Sequence, residues 1–358
     1  MTLDKDTLAK EALELLKELI SIPSFSEEED GTATAIDNWL EKFGVDTKRQ
    51  YNNIYAFNKY YDESKPNLLL NSHHDTVKPN SAYTKDPFNP HIEDGKLYGL
   101  GSNDAGGALV SLLATFVHFY ERQDLSHNII MSATAEEEDA GDKSISALLP
   151  ILPEIDVAIV GEPTQMQLAI AEKGLVVFEG KVEGTPSHAA HPNDNNAIYN
   201  TIEVLQWFKN YRFEKVSEVL GPVKMTVTQI NAGSQHNVVP GHVDLVIDTR
   251  VNDCYTNEEV YEILKKEAPC KLTPRSLNLS SSSISINHPL VQSGIALGRE
   301  TYGSPTLSDQ AELSCQSLKL GPGDSTRSHS ADEFIYVDEV IEGVGLYIDI
   351  LEGFLSKK

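Results

Sequence analysis

The chain has 358 residues, 40% of them hydrophobic, more than one simple core usually holds, so two domains are expected. Its 29 Lys+Arg stand against 54 Asp+Glu, a formal net charge of −25, the wrong sign for gripping nucleic acid or an anionic membrane through basic patches. Met1 to Glu18 alternates charge with Leu and no 18 apolar residues run together, which predicts a cytoplasmic protein, and the odd, widely spaced Cys254, Cys270 and Cys315 argue against a disulfide framework.

Leu8, Ala12, Leu15, Leu16 and Leu19 recur at helical spacing before Ile22-Pro23, and Ala33, Ile36, Leu40 and Phe43 repeat the pattern before Gly44, predicting two amphipathic helices. Leu68-Leu69-Leu70, Ile129-Ile130-Met131 and Val157 to Val160 are short apolar runs of the kind found in strands covered on both faces, with Ala105 to Tyr120 as a helix among them. This predicts an α/β fold with a mostly parallel central sheet and helices on both faces. From about Glu172 to Leu279 the pattern changes. Val176 to Val182, Val223 to Ile230 and Val243 to Ile247 read as alternating strands around helices at Asn196 to Lys209 and Thr256 to Lys266, an inserted α+β domain. A helix at Pro289 to Tyr302, a strand at Ser317 to Leu320 and a helix at Asp338 to Leu355 then resume the first domain. The expected boundaries are therefore 1–171, 172–279 and 280–358, with Ser280 to Ser283 as the nearest thing to a flexible joint.

Five turns carry metal-type side chains: Ser72-His73-His74-Asp75, Asn103-Asp104-Ala105-Gly106-Gly107, Glu136-Glu137-Glu138-Asp139, Gly161-Glu162-Pro163 and Ser328-His329-Ser330. Together they supply the imidazoles and carboxylates that a hydrolytic site with two metal ions requires. Several follow predicted strands directly, where open α/β sheets bind ligands. On an extended segment His73 and Asp75 point the same way, so Asp75 can orient the imidazole, while His74 reads as a plain polar residue. Asp104 stands where an N-cap of the next helix would be, although a carboxylate has a second oxygen free to bridge cations. The glycines around it, Gly99, Gly101, Gly106 and Gly107, do not have dinucleotide-site spacing. In the acidic run, one glutamate can bind metal while an unligated neighbour takes a proton from water.

In order, His73-x-Asp75, Gly99-x-Gly101-x-x-Asp104, Glu137-Glu138, Gly161-Glu162-Pro163-Thr164, Ser187-His188 to Asn196-Ala197-Ile198, Asn237-Val238-Val239-Pro240 and Gly321-Pro322-Gly323 with His329 resemble the metallopeptidase family of acetylornithine deacetylase, succinyl-diaminopimelate desuccinylase, aminoacylases and glutamate carboxypeptidases. The resemblance spans nearly the whole chain. It implies a zinc-exopeptidase-like catalytic domain interrupted by a lid that dimerises, and two Zn2+ per subunit, replaceable by Co2+ or Mn2+. It makes Asp104 the bridging ligand, with His73 and Glu162 on one ion and Glu138 and His329 on the other. Asp75 stands behind His73, Glu137 is the general base, and His188 stabilises the oxyanion, often in the partner's site. Asn237 and Arg250 hold the substrate, the guanidinium clamping an α-carboxylate. One departure is Ala189-Ala190-His191-Pro192, where relatives carry small hydroxyl residues.

The expected activity is removal of the N-acyl group from a small N-acylated amino acid. N-acetyl-L-ornithine of arginine biosynthesis comes first, and N-succinyl or N-acetyl derivatives of citrulline, lysine or diaminopimelate are the alternative. Arg327 is a candidate partner for a succinyl carboxylate, whereas Asp309 reads as an ordinary loop carboxylate rather than the partner of a cationic side chain. A metal-binding module without turnover is the remaining reading, against which the presence of both Glu137 and His188 stands.

Overall fold

Four apolar strands form the centre of the first unit. Asn67–His73 is buried along its length and runs parallel to Asn128–Thr134 on one side and to Val157–Gly161 on the other, and Gln316–Leu320 continues the parallel set beyond Val157–Gly161. Antiparallel Asn53–Phe57 and Thr47–Gln50 extend one edge, and Leu168–Glu172 and Ser282–Ser283 the other. Such runs of Leu, Ile and Val are stable as strands only with both faces covered. On one face pack the helices Lys5–Ile20, Asp30–Lys42, Gly107–Phe119 and Val337–Leu355, burying Leu16, Trp39, Phe116 and Tyr347. The other face, with Leu69, Ile130 and Ala158, lies under a 3₁₀ turn at Ile145–Ala147 and the Leu148 and Leu152 that follow it.

This computed structural model describes residues 4–356. The chain folds as two compact units, the first taking residues up to Ile170, Ser283–Tyr302 and everything from Ser308, the second Ala171–Ser282 and Gly303–Leu307. Among the described residues no helix is long and apolar enough to cross a membrane. The segment expected to be helical from Pro289 to Tyr302 divides instead. Its helix ends at Ala296, Gly298 turns the chain with φ +77°, and Thr301–Ser304 pairs with Leu168–Glu172. Gly at the left-handed position after a helix is the usual stop.

The second unit is a four-stranded antiparallel sheet in the order Lys224–Ala232, His242–Val251, Gly174–Glu183, Lys271–Pro274. Burial alternates along Gly174–Glu183 and His242–Val251, as it must when one face is covered. Val176, Phe178, Leu245 and Ile247 pack against Val204 and Phe208 of the helix Ala197–Asn210 and Val260 and Leu264 of Asn257–Glu267. Thr256 caps the latter in a reciprocal capping box with Glu259.

Candidate active site

All four parallel strands end at one rim of the first unit. His73 is the last residue of its strand, level with Thr134 of the neighbouring one. Glu137 and Glu138 follow Thr134, Glu162 follows Gly161, and the loop after Leu320 leads to His329. The backbone carbonyl of Asp75 accepts from His73 Nδ1 at 3.0 Å. That keeps a proton on this nitrogen and leaves Nε2 as the atom open to a cation.

Asp104 lies between the two imidazoles. Its Oδ1 is 3.4 Å from His73 Nε2, and its Oδ2 is 3.6 Å from His329 Nε2. Glu162 Oε1 is 3.8 Å from His73 Nε2, and Glu138 Oε2 is 3.1 Å from His329 Nε2. Two oxygens of one carboxylate thus face two separate nitrogen donors, each with a second carboxylate beside it. Asp104 is not the N-cap of the following helix. It sits inside a π-turn, Ser102–Gly106, and the helix begins at Gly107. The turn needs glycine at position 101, where φ is +73° and a Cβ would come within 2.5 Å of Thr76 Cγ2. Asn103 then ties this turn to the His329 loop, its Oδ1 accepting from Asp324 N at 3.0 Å and its Nδ2 donating to Asp324 O at 3.1 Å.

The three glutamates of the acidic turn are separated by their surroundings. Asp75, buried and held by Ser26 Oγ at 2.7 Å, accepts from the backbone N–H groups of Glu137 and Glu138 at 3.1 Å each. Buried Glu29 accepts from Glu136 N at 3.3 Å. Glu136 turns its own Oε2 back to Lys143 N, so Glu137 and Glu138 are the ones left to face the site. Burial, foremost, with Glu162, Asp309 and Glu138 close by, pushes the Glu137 carboxyl well above its ordinary range against the pull of His73. Glu162 is pushed up to about 8, first by burial and then by Asp104. Hydrogen bonding to Glu138 raises His329 to about 9.

These surroundings favour the protonated forms of Glu162 and His329 at neutral pH. Ligands must lose those protons before they bind a cation. Loading the metal-free protein with a divalent ion at pH 7 should therefore release protons from Glu162 and His329. Apparent affinity should climb as pH rises through 8 to 9, as titration calorimetry in buffers of different ionisation enthalpy would read. An affinity that does not change across that interval contradicts this.

The cluster fits a divalent cation. His73 Nε2 is buried and makes no hydrogen bond, an orphan that folded proteins rarely keep unless something else occupies it. Ligand atoms of His73, Asp104 and Glu138 lie within 4.8 Å of one another. A mixed imidazole and carboxylate shell suits zinc, cobalt or manganese alike.

The sequence profile of Peptidase family M20/M25/M40 matches residues 69–353. The chain belongs to that family. Among similar M20 sequences are the succinyl-diaminopimelate desuccinylases of Wolbachia pipientis wMel, 26% identical over 96% of this chain and 93% of the relative, and of Rickettsia bellii strain OSU 85-389, 29% identical over 75% and 74%. Among solved structures, a tripeptidase from Staphylococcus aureus superposes with a TM-score of 0.77 at 19% identity, covering 98% of this chain and 99% of the other. A dinuclear metal-binding M20 peptidase from Bacillus subtilis superposes with a TM-score of 0.74 at 13% identity, covering 96% and 98%. This M20 protein is a metal-dependent hydrolase acting on amide bonds.

Within the second unit, the short strand Ser187–His188 pairs with Val238–Val239, and Ala189 N donates to Asn237 O at 2.9 Å. That brings His188 and Asn237 side by side beyond the His242 end of the sheet. Arg250 lies at the other end, opposite Leu175. Eight residues of extended chain from His242 amount to roughly 26 Å, so one copy does not join Arg250 to His188 and Asn237. The Arg250 guanidinium is held by Asp248, at 2.9 and 3.0 Å.

Three side chains of the M20 chain have clear settings. The Arg327 guanidinium donates to Glu339 at 2.7 and 3.1 Å, and the Phe334 and Tyr336 rings flank it. Asp309 is buried and accepts from Asn71 and Thr134 at 2.7 Å each. His74 is wedged between Thr32 and the Asn52 carbonyl, with burial lowering it to about 4. The motifs assigned no role to Ser26, Glu29, Asn103 or Glu333. Only the last two carry any sequence signal: Asn103 adjoins Asp104, and Glu333 is an acid four residues past His329.

Proposed function

We propose that this chain removes the N-acyl group of a small N-acylated amino acid, with an N-succinyl diaminopimelate as first candidate substrate. The observation that carries the choice of acyl group is the desuccinylase relative aligned over 96% of this chain and 93% of its own length, so that neither carries a large unmatched segment. N-acetyl-L-ornithine, expected first from the motifs, falls behind it, because the motifs that suggested it resemble the desuccinylases as well.

In this reading two divalent cations, zinc first among candidates, would be held by His73 and Glu162 on one side and by Glu138 and His329 on the other, with Asp104 as the carboxylate that would serve both. When bound, the pair lowers the pKa of a water toward about 7 and polarises the acyl oxygen. Glu137 takes the proton of the attacking water as its oxygen joins the acyl carbon. It then returns that proton to the nitrogen as the C–N bond breaks, releasing carboxylate and amine. Asp75 keeps Glu137 and Glu138 in register through their backbone N–H groups. His188 donates to the oxyanion, Asn237 holds the substrate, and Arg250 exchanges Asp248 for a substrate carboxylate.

The separation of Arg250 from His188 and Asn237 supports a homodimer in which each site draws on both copies. So do two exposed features of the second unit: the edge strand Lys224–Ala232 and the apolar side chains Ile198, Tyr199 and Ile202. Unpaired edges and apolar patches of this kind are commonly covered by a partner. Sedimentation should return twice the chain mass; a monomer at micromolar concentration would remove this part of the proposal.

The substrate experiment is a comparison of N-succinyl-LL-diaminopimelate, N-acetyl-L-ornithine and N-acetyl-L-citrulline with the zinc-loaded protein. The expected kcat/KM is largest for the succinyl compound by about tenfold or more, which corresponds to about 1.4 kcal/mol of transition-state discrimination. A preference for N-acetyl-L-ornithine would reverse the acyl assignment, and hydrolysis of none of the three would defeat the deacylase reading.

A further inference from the structure

We propose that Glu333 is a positioning residue that assembles the Asp104 turn before any metal arrives. This rests on the reading of Asp104 as the bridging ligand. Glu333 is 2% exposed, and its carboxylate is filled by the turn's own amides. Oε1 accepts from Asn103 N and Asp104 N at 2.9 Å each, and Oε2 accepts from Gly101 N at 3.2 Å. The backbone carbonyl of Glu333 accepts from Gly99 N at 3.0 Å. One residue therefore takes the N–H groups of Gly99, Gly101, Asn103 and Asp104.

Burying a carboxylate beside Asp104 is costly, and like charges at that range repel. Three N–H bonds, all from the turn rather than from solvent or an arginine, offset part of that cost, while burial and then Asp104 still push the Glu333 carboxyl up to about 8. The fold leaves Glu333 little freedom. Phe334–Tyr336 pairs with Lys96–Tyr98 in the register Phe334↔Tyr98, which sets Glu333 opposite Gly99. On its other side Asp332 accepts from Thr84 N and Lys85 N at 2.8 Å, and four residues upstream is His329. The segment that presents one imidazole to Asp104 thus also shapes the turn that presents Asp104 to it, so the spacing between the two candidate ligands is set by protein alone.

Glu333→Gln tests this. The amide keeps the shape but puts an NH2 donor where one oxygen accepted, so at least one of the three amides faces a donor. Groups that support a metal ligand typically contribute 10- to 100-fold in affinity. The variant should bind zinc about 10- to 100-fold more weakly in chelator competition and lose kcat with little change in KM. Unchanged zinc affinity, with only a lower melting temperature, would overturn the proposal and reduce Glu333 to an ordinary structural residue.

A second measurement needs no variant. In the wild-type protein stripped with chelator, amide hydrogen exchange over 99–104 should remain slow, close to its rate in the zinc-loaded protein. Fast exchange that slows only on loading would show that the ion shapes the turn, and would also overturn the proposal. Failure of the hydrolase reading is distinguishable, because it would appear as wild-type protein that takes up no zinc or cleaves no acyl amide, whatever the exchange rates.

Discussion

Glu137→Gln should abolish turnover while leaving the metals in place. Glutamine preserves the volume of the side chain but cannot accept the proton of the attacking water, and positioned acid–base groups typically contribute 10²- to 10⁴-fold. A loss of kcat on the order of 10³-fold is therefore expected, with metal content unchanged, since the carboxylates facing the Nε2 atoms of the two imidazoles belong to Asp104, Glu138 and Glu162. Because burial disfavours the charged form of Glu137, a neutral amide in its place should leave the metal-free variant no less stable than the parent. Activity near the wild-type level would remove Glu137 from the mechanism. Loss of metal along with activity would instead move it into the ligand shell, which the separate settings of Glu136, Glu137 and Glu138 argue against.

Asp104→Asn should empty the site. Its two oxygens face His73 and His329 at 3.4 and 3.6 Å, and an asparagine offers one neutral oxygen and an NH2 donor in their place. Losing a group that merely supports a ligand weakens metal binding about 10- to 100-fold, so loss of a shared anionic ligand should exceed about a hundredfold and strip the protein during dialysis. Elemental analysis after chelator-free dialysis gives the answer directly. A variant retaining two ions per chain would show that Asp104 does not bridge them. The same measurement separates Asp104 from Glu333, whose substitution should weaken binding by the smaller factor.

Much of the α/β framework was legible because its signals are local. Runs such as Leu68 to Leu70 and Val157 to Val160 announce buried strands, and Leu8 to Leu19 an amphipathic helix, whatever lies around them. What escaped were elements whose signal comes from a neighbour. Lys96–Tyr98 and Phe334–Tyr336 are three residues each, too short for periodicity, and exist because they pair with one another. The helix after Pro289 was overestimated because an apolar residue, Tyr302, lies beyond Ile295 and Leu297, whereas the backbone conformation of Gly298 ends the helix between them.

The order and chemical types of His73, Asp104, Glu137, Glu138, Glu162 and His329 are properties of the sequence, and they sufficed for the family and the class of reaction. Only the tertiary structure decided that Asp104 sits in a π-turn rather than at a helix cap, with its two oxygens toward different imidazoles. It also decided that Glu339 takes the Arg327 guanidinium, that Arg250 lies at one end of the second unit's four-stranded sheet while His188 sits in a separate short ladder beyond the other end, and that buried Glu333 accepts from the amides of the Asp104 turn. The division follows from range. Residue type and spacing encode what a side chain can do, whereas the partner that fixes its direction lies 229 residues away in the case of Asp104 and Glu333, and nothing local to either position names the other.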